Sequence, residues 1–429
     1  MMQDVIQRNE FYLEVEDIEL FKEKILAQAN VYEDFIFLDS NCEYNKNSSY
    51  DFIAAFSSKS KYCGSDIGEF KEFLSNQKEY AFGSFCYDLK DEVFNLSSLK
   101  NQFIPFSKIS FFIPNIIIFC VNKIVKASLT NEISKEDFNL ILNTELVYEE
   151  KSTLFLQAFN DLNWGEYQTK FEKIKRHIQR GDIYEVNLCS QIKGKKVIKP
   201  IDTFKKLNSI SSAPYAAMYR QNNSWLLSSS PELFLEKKGD MVTTKPIKGT
   251  SPRNINKEFD LQNKKNLVAS EKERNENVMI VDLARNDLST IAQRNSVEVK
   301  KLFDVETYKQ VHHLVSTIEC KMKKEIHTID AIKNTFPMAS MTGVPKKRAL
   351  EIIEEIEGFN RGLYSGSLGF FDPNDNFIFN VVIRSILYNQ KTNEVSFSVG
   401  SAITDKCNAR DEFAECMLKA KAMIEVLEM

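Results

Sequence analysis

Three strand-like segments follow one another near the C-terminal end of the chain: Gly366 to Phe371, Phe377 to Leu387 and Glu394 to Gly400. Only turn signals such as Asp372-Pro373-Asn374-Asp375 separate them. No helix fits between such neighbours, which favours an antiparallel sheet and an α+β fold over a doubly wound parallel one. Two more strand-like runs, Trp225 to Leu227 and Leu233 to Glu236, flank Ser228-Ser229-Ser230-Pro231-Glu232. Helices are predicted around them. Tyr167, Phe171, Ile174 and Ile178 recur at helical spacing before Gly181, and a strand-like segment from Ile183 to Cys189 follows. Further helices are read from Ser270 to Arg285, from Pro345 to Glu357 ahead of Gly358, and from Asp411 to Leu427.

The first ~160 residues carry short strand-like runs at Phe35 to Leu38, Phe111 to Ile113 and Ile116 to Val121. The Ser/Lys/Asn-rich stretch from Asn41 to Asp66 reads as loop around a short helix. Few chemical groups stand out here, so this part reads as a scaffold or regulatory subdomain. With only 14 Gly and 10 Pro in 429 residues, long disordered linkers are not expected. A formal net charge of −4 provides no general field for nucleic acid or an anionic membrane. The longest apolar stretch, Ile109 to Val121, contains Pro114 and Asn115 and is too short to span a bilayer. Met1-Met2-Gln3-Asp4 lacks the regions of a signal peptide. None of the eight cysteines forms a CxxC pair, so reduced thiols in a cytoplasmic protein are expected.

In Lys245-Pro246-Ile247-Lys248-Gly249-Thr250, Pro246 fixes one backbone angle and Gly249 frees another, bracketing Lys248. Such a lysine is a nucleophile if burial or a nearby cation, with Lys245 at hand, lowers its pKa; otherwise it is a solvated turn residue. Glu273-x-x-Glu276 and Glu412-x-x-Glu415 each put two carboxylates on one helix face. If the two helices converge they form an oxygen-rich site for Mg²⁺. Ser270-x-x-Glu273 is equally a capping box, and Glu351-x-x-Glu354 repeats the spacing. His312-His313 offers structural hydrogen bonds or catalysis. Arg384 lies in the apolar run Val381 to Arg384 and needs a carboxylate partner from protein or ligand. Gly400-Ser401-Ala402 either presents amides to an anion or is an ordinary small-residue turn. Glu232 suits a general acid or base, or a surface position. There is no GxGxxG, P-loop, HExxH or G-x-C-x-G, which argues against nucleotide-driven, zinc or glutaminase chemistry in this chain.

Taken in order, the segments GDIYEVNL (181–188), SSPELF (229–234), KPIKGTSPR (245–253), EKERNENVMIVDLARNDL (271–288), HHLVSTI (312–318), FPMASMTGVPKKRALEIIEEIE (336–357), RGLYSGSLGFF (361–371), VVIRS (381–385), VGSAIT (399–404) and DEFAECMLKA (411–420) resemble the chorismate-utilising enzymes. The resemblance implies antiparallel sheets in a β-sandwich-like core with helices packed outside. It divides the chain into an N-terminal subdomain, 1–160, and a catalytic domain, 164–425. The PIKGT form is similar to the aminodeoxychorismate synthase branch; the anthranilate branch reads PIAGT. Isochorismate and salicylate synthases carry a lysine where this chain has Glu185.

Roles follow from the resemblance. Glu276 and Glu415, with Glu273 and Glu412, would hold Mg²⁺ against the ring carboxylate of chorismate. Arg384 and Tyr364, helped by the amides near Gly400 and Ser401, would grip the enolpyruvyl carboxylate. Thr250, His313 and Thr342 would line the substrate site. Lys248 would add at ring C2 as the C4 hydroxyl leaves, and ammonia from a separate glutamine amidotransferase subunit would displace it. Glu232 would be the general acid/base. Met338-Ala339, Asn275 and Val399-Gly400-Ser401-Ala402 depart from the usual pattern, and the LLES signature of tryptophan-sensing anthranilate synthases is absent from residues 1–60. The alternatives are the anthranilate branch and a non-catalytic chorismate-binding subunit.

Overall fold

The computed structural model describes residues 6–41, 49–98, 100–143 and 162–428. Every strand pairing is antiparallel, and the pairings trace two sheets that share one strand. One sheet runs from Glu185–Lys195 through Glu394–Ile403, Ser385–Asn389, Ser224–Ser230, Tyr215–Gln221, Asp34–Asp39 and Phe52–Gly64 to Ile109–Val121. The other leaves Ile109–Val121 through Ala81–Phe85, Ser367–Phe371, Phe377–Val381, Leu233–Lys238 and Met241–Lys245 to Val311–Lys321. Ile247–Pro252 and Glu298–Thr307 flank that last strand.

Side-chain alternation shows how the layers stack. Ile36, Leu38, Ile53 and Ala55 join Phe82, Phe112, Leu368 and Leu387 in a core between the sheets. Their neighbours Phe35, Phe37, Phe52, Ala54 and Phe56 point the other way, onto the helices Ile18–Ala27, Trp164–Arg180, Pro200–Ser211 and Ala409–Glu428. On the far side, Phe85, Phe371 and Phe379 pack on Glu271–Ile291, Thr328–Thr335 and Ile67–Gln77. A period of two residues with both faces buried gives this sandwich covered by helices, the expected α+β architecture. Residues on both sides of 144–161 enter the same sheets and cores, and the expected boundary at 160 falls outside the described residues.

Several predicted elements form where expected. Asn163 caps the helix Trp164–Arg180, and Gly181 ends it at φ +82°. The loop expected from Asn41 to Asp66 is different: Phe52–Gly64 is a strand, and residues 42–48 lie outside the described set. Its first five residues are buried on both faces, so they show no polar/apolar alternation, while the Ser/Lys-rich remainder is the exposed part. The two runs around Pro114 are one strand, Ile109–Val121, whose partner bulges between Ser58 and Ser60. The segment Phe377 to Leu387 is two strands, broken between Val381 and Ser385. Among the described residues no helix is long and apolar enough to cross a membrane.

The fully buried pair Glu357–Arg361 ties these parts together. Arg361 bonds both carboxylate oxygens, at 2.9 and 2.6 Å. It also donates to the carbonyls of Met341 (2.7 Å) and Asn187 (2.9 Å), and its plane lies over Tyr87. Glu357 in turn accepts from the Cys189 amide at 2.8 Å. Removing one partner of such a pair strands a charge in the core. Arg361→Met is therefore expected to cost about 3–5 kcal/mol, and the double replacement Glu357→Leu/Arg361→Met to cost less. Urea unfolding midpoints of the three proteins check this; a single variant as stable as the parent would refute it.

Candidate active site

The chain passes between the two sheets twice at one place. Pro231 and Glu232 join Ser224–Ser230 of one sheet to Leu233–Lys238 of the other, and Val382 to Arg384 return from Phe377–Val381 to Ser385–Asn389. The crossings are bonded to each other: the Val381 amide donates to the Glu232 carbonyl (3.0 Å), and the Ser229 amide to the Arg384 carbonyl (3.2 Å). Arg384 takes φ +50°, a left-handed conformation that costs a non-glycine residue about 1 kcal/mol or more. That kink, rather than a continuous strand, turns its guanidinium into a cleft of about 770 Å³, counting its open mouth. Lys248, Glu232, Glu273, Glu276, Glu415 and Arg384 all line it, as do Thr250, His313, Tyr364 and Gly400.

Lys248 reaches the cleft from a bulged strand, Ile247–Pro252, whose register slips between Ile247 and Thr250. Gly249 makes the bulge possible: it takes φ +95°, and a Cβ there would lie 3.0 Å from Glu273 Oε2. Lys248 Nζ is 2.8 Å from Glu185 Oε1; the glutamate side chain is buried and the lysine side chain nearly so. Burial works against the ammonium, but the carboxylates of Glu185, Glu276 and Glu415 outweigh it and raise the pKa above the usual lysine range. This corrects the expectation of a lysine lowered by burial or by Lys245.

The four glutamates come from the two helices Glu271–Ile291 and Ala409–Glu428. Ser270 does cap the first, accepting from the Glu273 amide, yet Glu273 also lines the cleft. Burial pushes Glu276 up to about 7, and raises Glu273 and Glu412 as well. Burial also opposes the charge on Glu415, but Lys419 at 2.7 Å outweighs it and lowers the pKa. Glu412 lies behind the wall, 2.7 Å from Lys272, which is also 3.9 Å from Glu276. Among the described residues no three of these side chains yet meet at a common metal point. The donor set nevertheless fits a hard cation: it is all carboxylate, and the buried Glu276 Oε1 has no hydrogen-bond partner.

Arg384 donates from Nη2 to His313 Nε2 at 2.9 Å. A guanidinium has only donors, so Nε2 must accept and the imidazole is neutral, with Nδ1 facing Thr250 Oγ1 at 3.0 Å. Burial, then the charge of Arg384, holds the His313 pKa well below the usual range. Burial pulls Arg384 itself down to about 10. The carboxylate expected opposite Arg384 is not supplied by protein: no ion pair to it exists among the described residues. Burial pushes Glu232 up to about 7, with hydrogen bonds from Ser340 and the Ile247 backbone, then the charge of Lys248, offsetting that only in part.

Thr342 and Ser401 do not line the cleft. Thr342 is buried, its hydroxyl donating to Ala339 O and its carbonyl accepting from the Asn187 amide. Ser401 Oγ instead bonds Tyr167 Oη at 3.0 Å. The sequence reading overlooked Lys419 and Lys272. Lys419 bonds the Gly400 carbonyl at 2.8 Å besides pairing with Glu415. Each was visible as a lysine within one helical turn of a metal-candidate glutamate.

Comparison with known proteins agrees with this architecture. Residues 23–425 match the family described as chorismate binding enzyme. The chain is 34% identical over 282 residues to anthranilate synthase component 1 3 of Haloarcula marismortui, covering 65% of this chain and 56% of that protein. It is 36% identical over 258 residues to aminodeoxychorismate synthase component 1 of Bacillus subtilis, covering 60% and 54%. The chain thus spans about half the length of these curated relatives. The menaquinone-specific isochorismate synthase of Escherichia coli shares the fold, with TM-score 0.78 and 17% identity over 99% of this chain and 95% of that one. A match over nearly the whole chain, on a sandwich whose crossings carry a cleft-lining arginine and a buried glutamate, makes this protein a member of the chorismate-binding enzyme family.

Proposed function

We propose that this chain is an aminodeoxychorismate synthase component I, aminating chorismate at C4 in the cytoplasm with ammonia from a separate glutamine amidotransferase subunit. The observation that carries the reading is Lys248, a nearly buried lysine whose ammonium lines the same cleft as an arginine lacking a protein carboxylate and a glutamate poised near neutrality. Similarity to proteins named aminodeoxychorismate synthase supports it. One relative is instead an anthranilate synthase component; the lysine at position 248 favours the branch that aminates at C4.

Arg384 offers its free donors to one substrate carboxylate, with His313 holding the guanidinium in place as a neutral acceptor. Glu276 and Glu415, backed by Glu273 and Glu412, would hold Mg²⁺ once Lys272 is displaced from between them. The ion supplies charge neutralisation for the ring carboxylate when bound. Glu232, half protonated near pH 7, hands its proton to the C4 hydroxyl as that leaves. Lys248 Nζ, once neutral, adds at C2, and ammonia adding at C4 then releases the lysine.

Three measurements test this reading. With chorismate, Mg²⁺ and ammonium, the product identified by mass and chromatography should be 4-amino-4-deoxychorismate; fluorescent anthranilate would overturn the branch, and Lys248→Ala should lose any protein-bound adduct. Because the Glu232 pKa is raised to about 7 and its acid form does the work, kcat/KM should fall as pH rises through that value. The limb should vanish, along with most activity, in Glu232→Gln. Glu276→Gln should weaken Mg²⁺ binding by calorimetry; unchanged affinity would remove it from the metal site.

A further inference from the structure

Lys248 lies above a carboxylate that does not line the cleft. Glu185 belongs to the strand Glu185–Lys195, and its backbone is held on one side by Val344 and through its neighbour Val186 by Ile403 on the other. The mount is tight: a Cβ on Gly343 would lie 2.2 Å from the Glu185 carbonyl oxygen. One carboxylate oxygen is 2.8 Å from Lys248 Nζ, and the other, fully buried, has no hydrogen-bond partner. Among the described residues Glu185 is the only acid within 4.0 Å of Nζ. A buried carboxylate with an unused oxygen is an expensive way merely to hold a lysine still.

We propose that Glu185 is the proton acceptor for Lys248, cycling a proton beneath the cleft floor without touching the substrate. The inference rests on Lys248 being the nucleophile. In the resting protein Lys248 is an ammonium and Glu185 a carboxylate. One proton moves from Nζ to Glu185, leaving a neutral amine and a neutral acid. The amine forms the N–C2 bond as both conjugated ring double bonds shift by one position and the C4–O bond breaks; the hydroxyl leaves as water with the proton of Glu232. Ammonia then forms the N–C4 bond, and the C2–N bond breaks with its electron pair returning to the lysine as a free amine. The new ammonium at C4 gives a proton back to Glu232, and Glu185 returns its own to Lys248. The sum is chorismate plus ammonia to 4-amino-4-deoxychorismate plus water, with both acids restored.

The test is single-turnover adduct formation on chorismate without ammonium, read by intact-protein mass. Glu185→Gln, which keeps the shape and a hydrogen-bonding oxygen, should slow adduct formation by about 100-fold or more while chorismate affinity by calorimetry stays that of the parent. Glu185→Asp should retain part of the rate, and added formate should restore part of it to Glu185→Ala. Adduct formation at the parental rate in Glu185→Gln would overturn the inference, as would the failure of both the aspartate variant and formate. The nucleophile reading fails separately: it falls if Lys248→Ala aminates chorismate normally.

Discussion

The cleft depends on the buried pair between Glu357 and Arg361. Neither side chain touches the cleft, yet between them they bind the carbonyls of Met341 and Asn187 and the amide of Cys189. Met341 and Asn187 are themselves wall residues, one from the segment after Pro337 and one from the strand that carries Glu185. Two charges can be kept in such a core only because every strong donor and acceptor finds a partner. The pair backs up the direct backbone pairing of those two walls, in which the Asn187 amide donates to the Thr342 carbonyl and Val344 lies opposite Glu185.

In and around the cleft, charge is arranged as lysines standing against glutamates. Lys248 meets Glu185, Lys272 meets Glu412, and Lys419 meets Glu415. These pairs offset the mutual repulsion of a crowd of carboxylates, of which Glu185, Glu276 and Glu412 are buried. Arg384 is the exception, since its neighbour is a neutral imidazole. An anionic ligand therefore finds one cation that needs it and three that are already engaged. Orientation follows from that asymmetry.

The sequence announced the fold class and the residues that line the cleft, but not every strand or break between them. Helix ends were legible where their signals are local: Gly181 ends one helix, and Ser270 starts another. Ten of the residues that the family resemblance placed in the site line one cleft, whereas spacing by itself singled out only the paired glutamates. The strand Phe52–Gly64 was hidden because half of it is buried on both faces and half on neither, so the alternation that marks a strand is missing. The break at Arg384 was hidden for another reason. A kink that carries the chain from one sheet to the other has no composition of its own, and its positive φ appears only when the packing is known. Thr342 and Ser401 hold the scaffold around the cleft, a role that spacing alone does not distinguish from lining it.

The strand beside the shared one has a consequence for synthesis on the ribosome. Ala81–Phe85 takes Ile109–Val121 as one neighbour and Ser367–Phe371 as the other. The first is made soon after it; the second emerges almost three hundred residues later. Translation proceeds at roughly 5–20 residues per second, so that apolar edge waits on the order of tens of seconds for its partner. Until then it offers unpaired amides and carbonyls flanked by phenylalanines, the kind of surface that recruits other strands. Nascent chains of this protein thus have reason to meet a chaperone before they can meet a substrate.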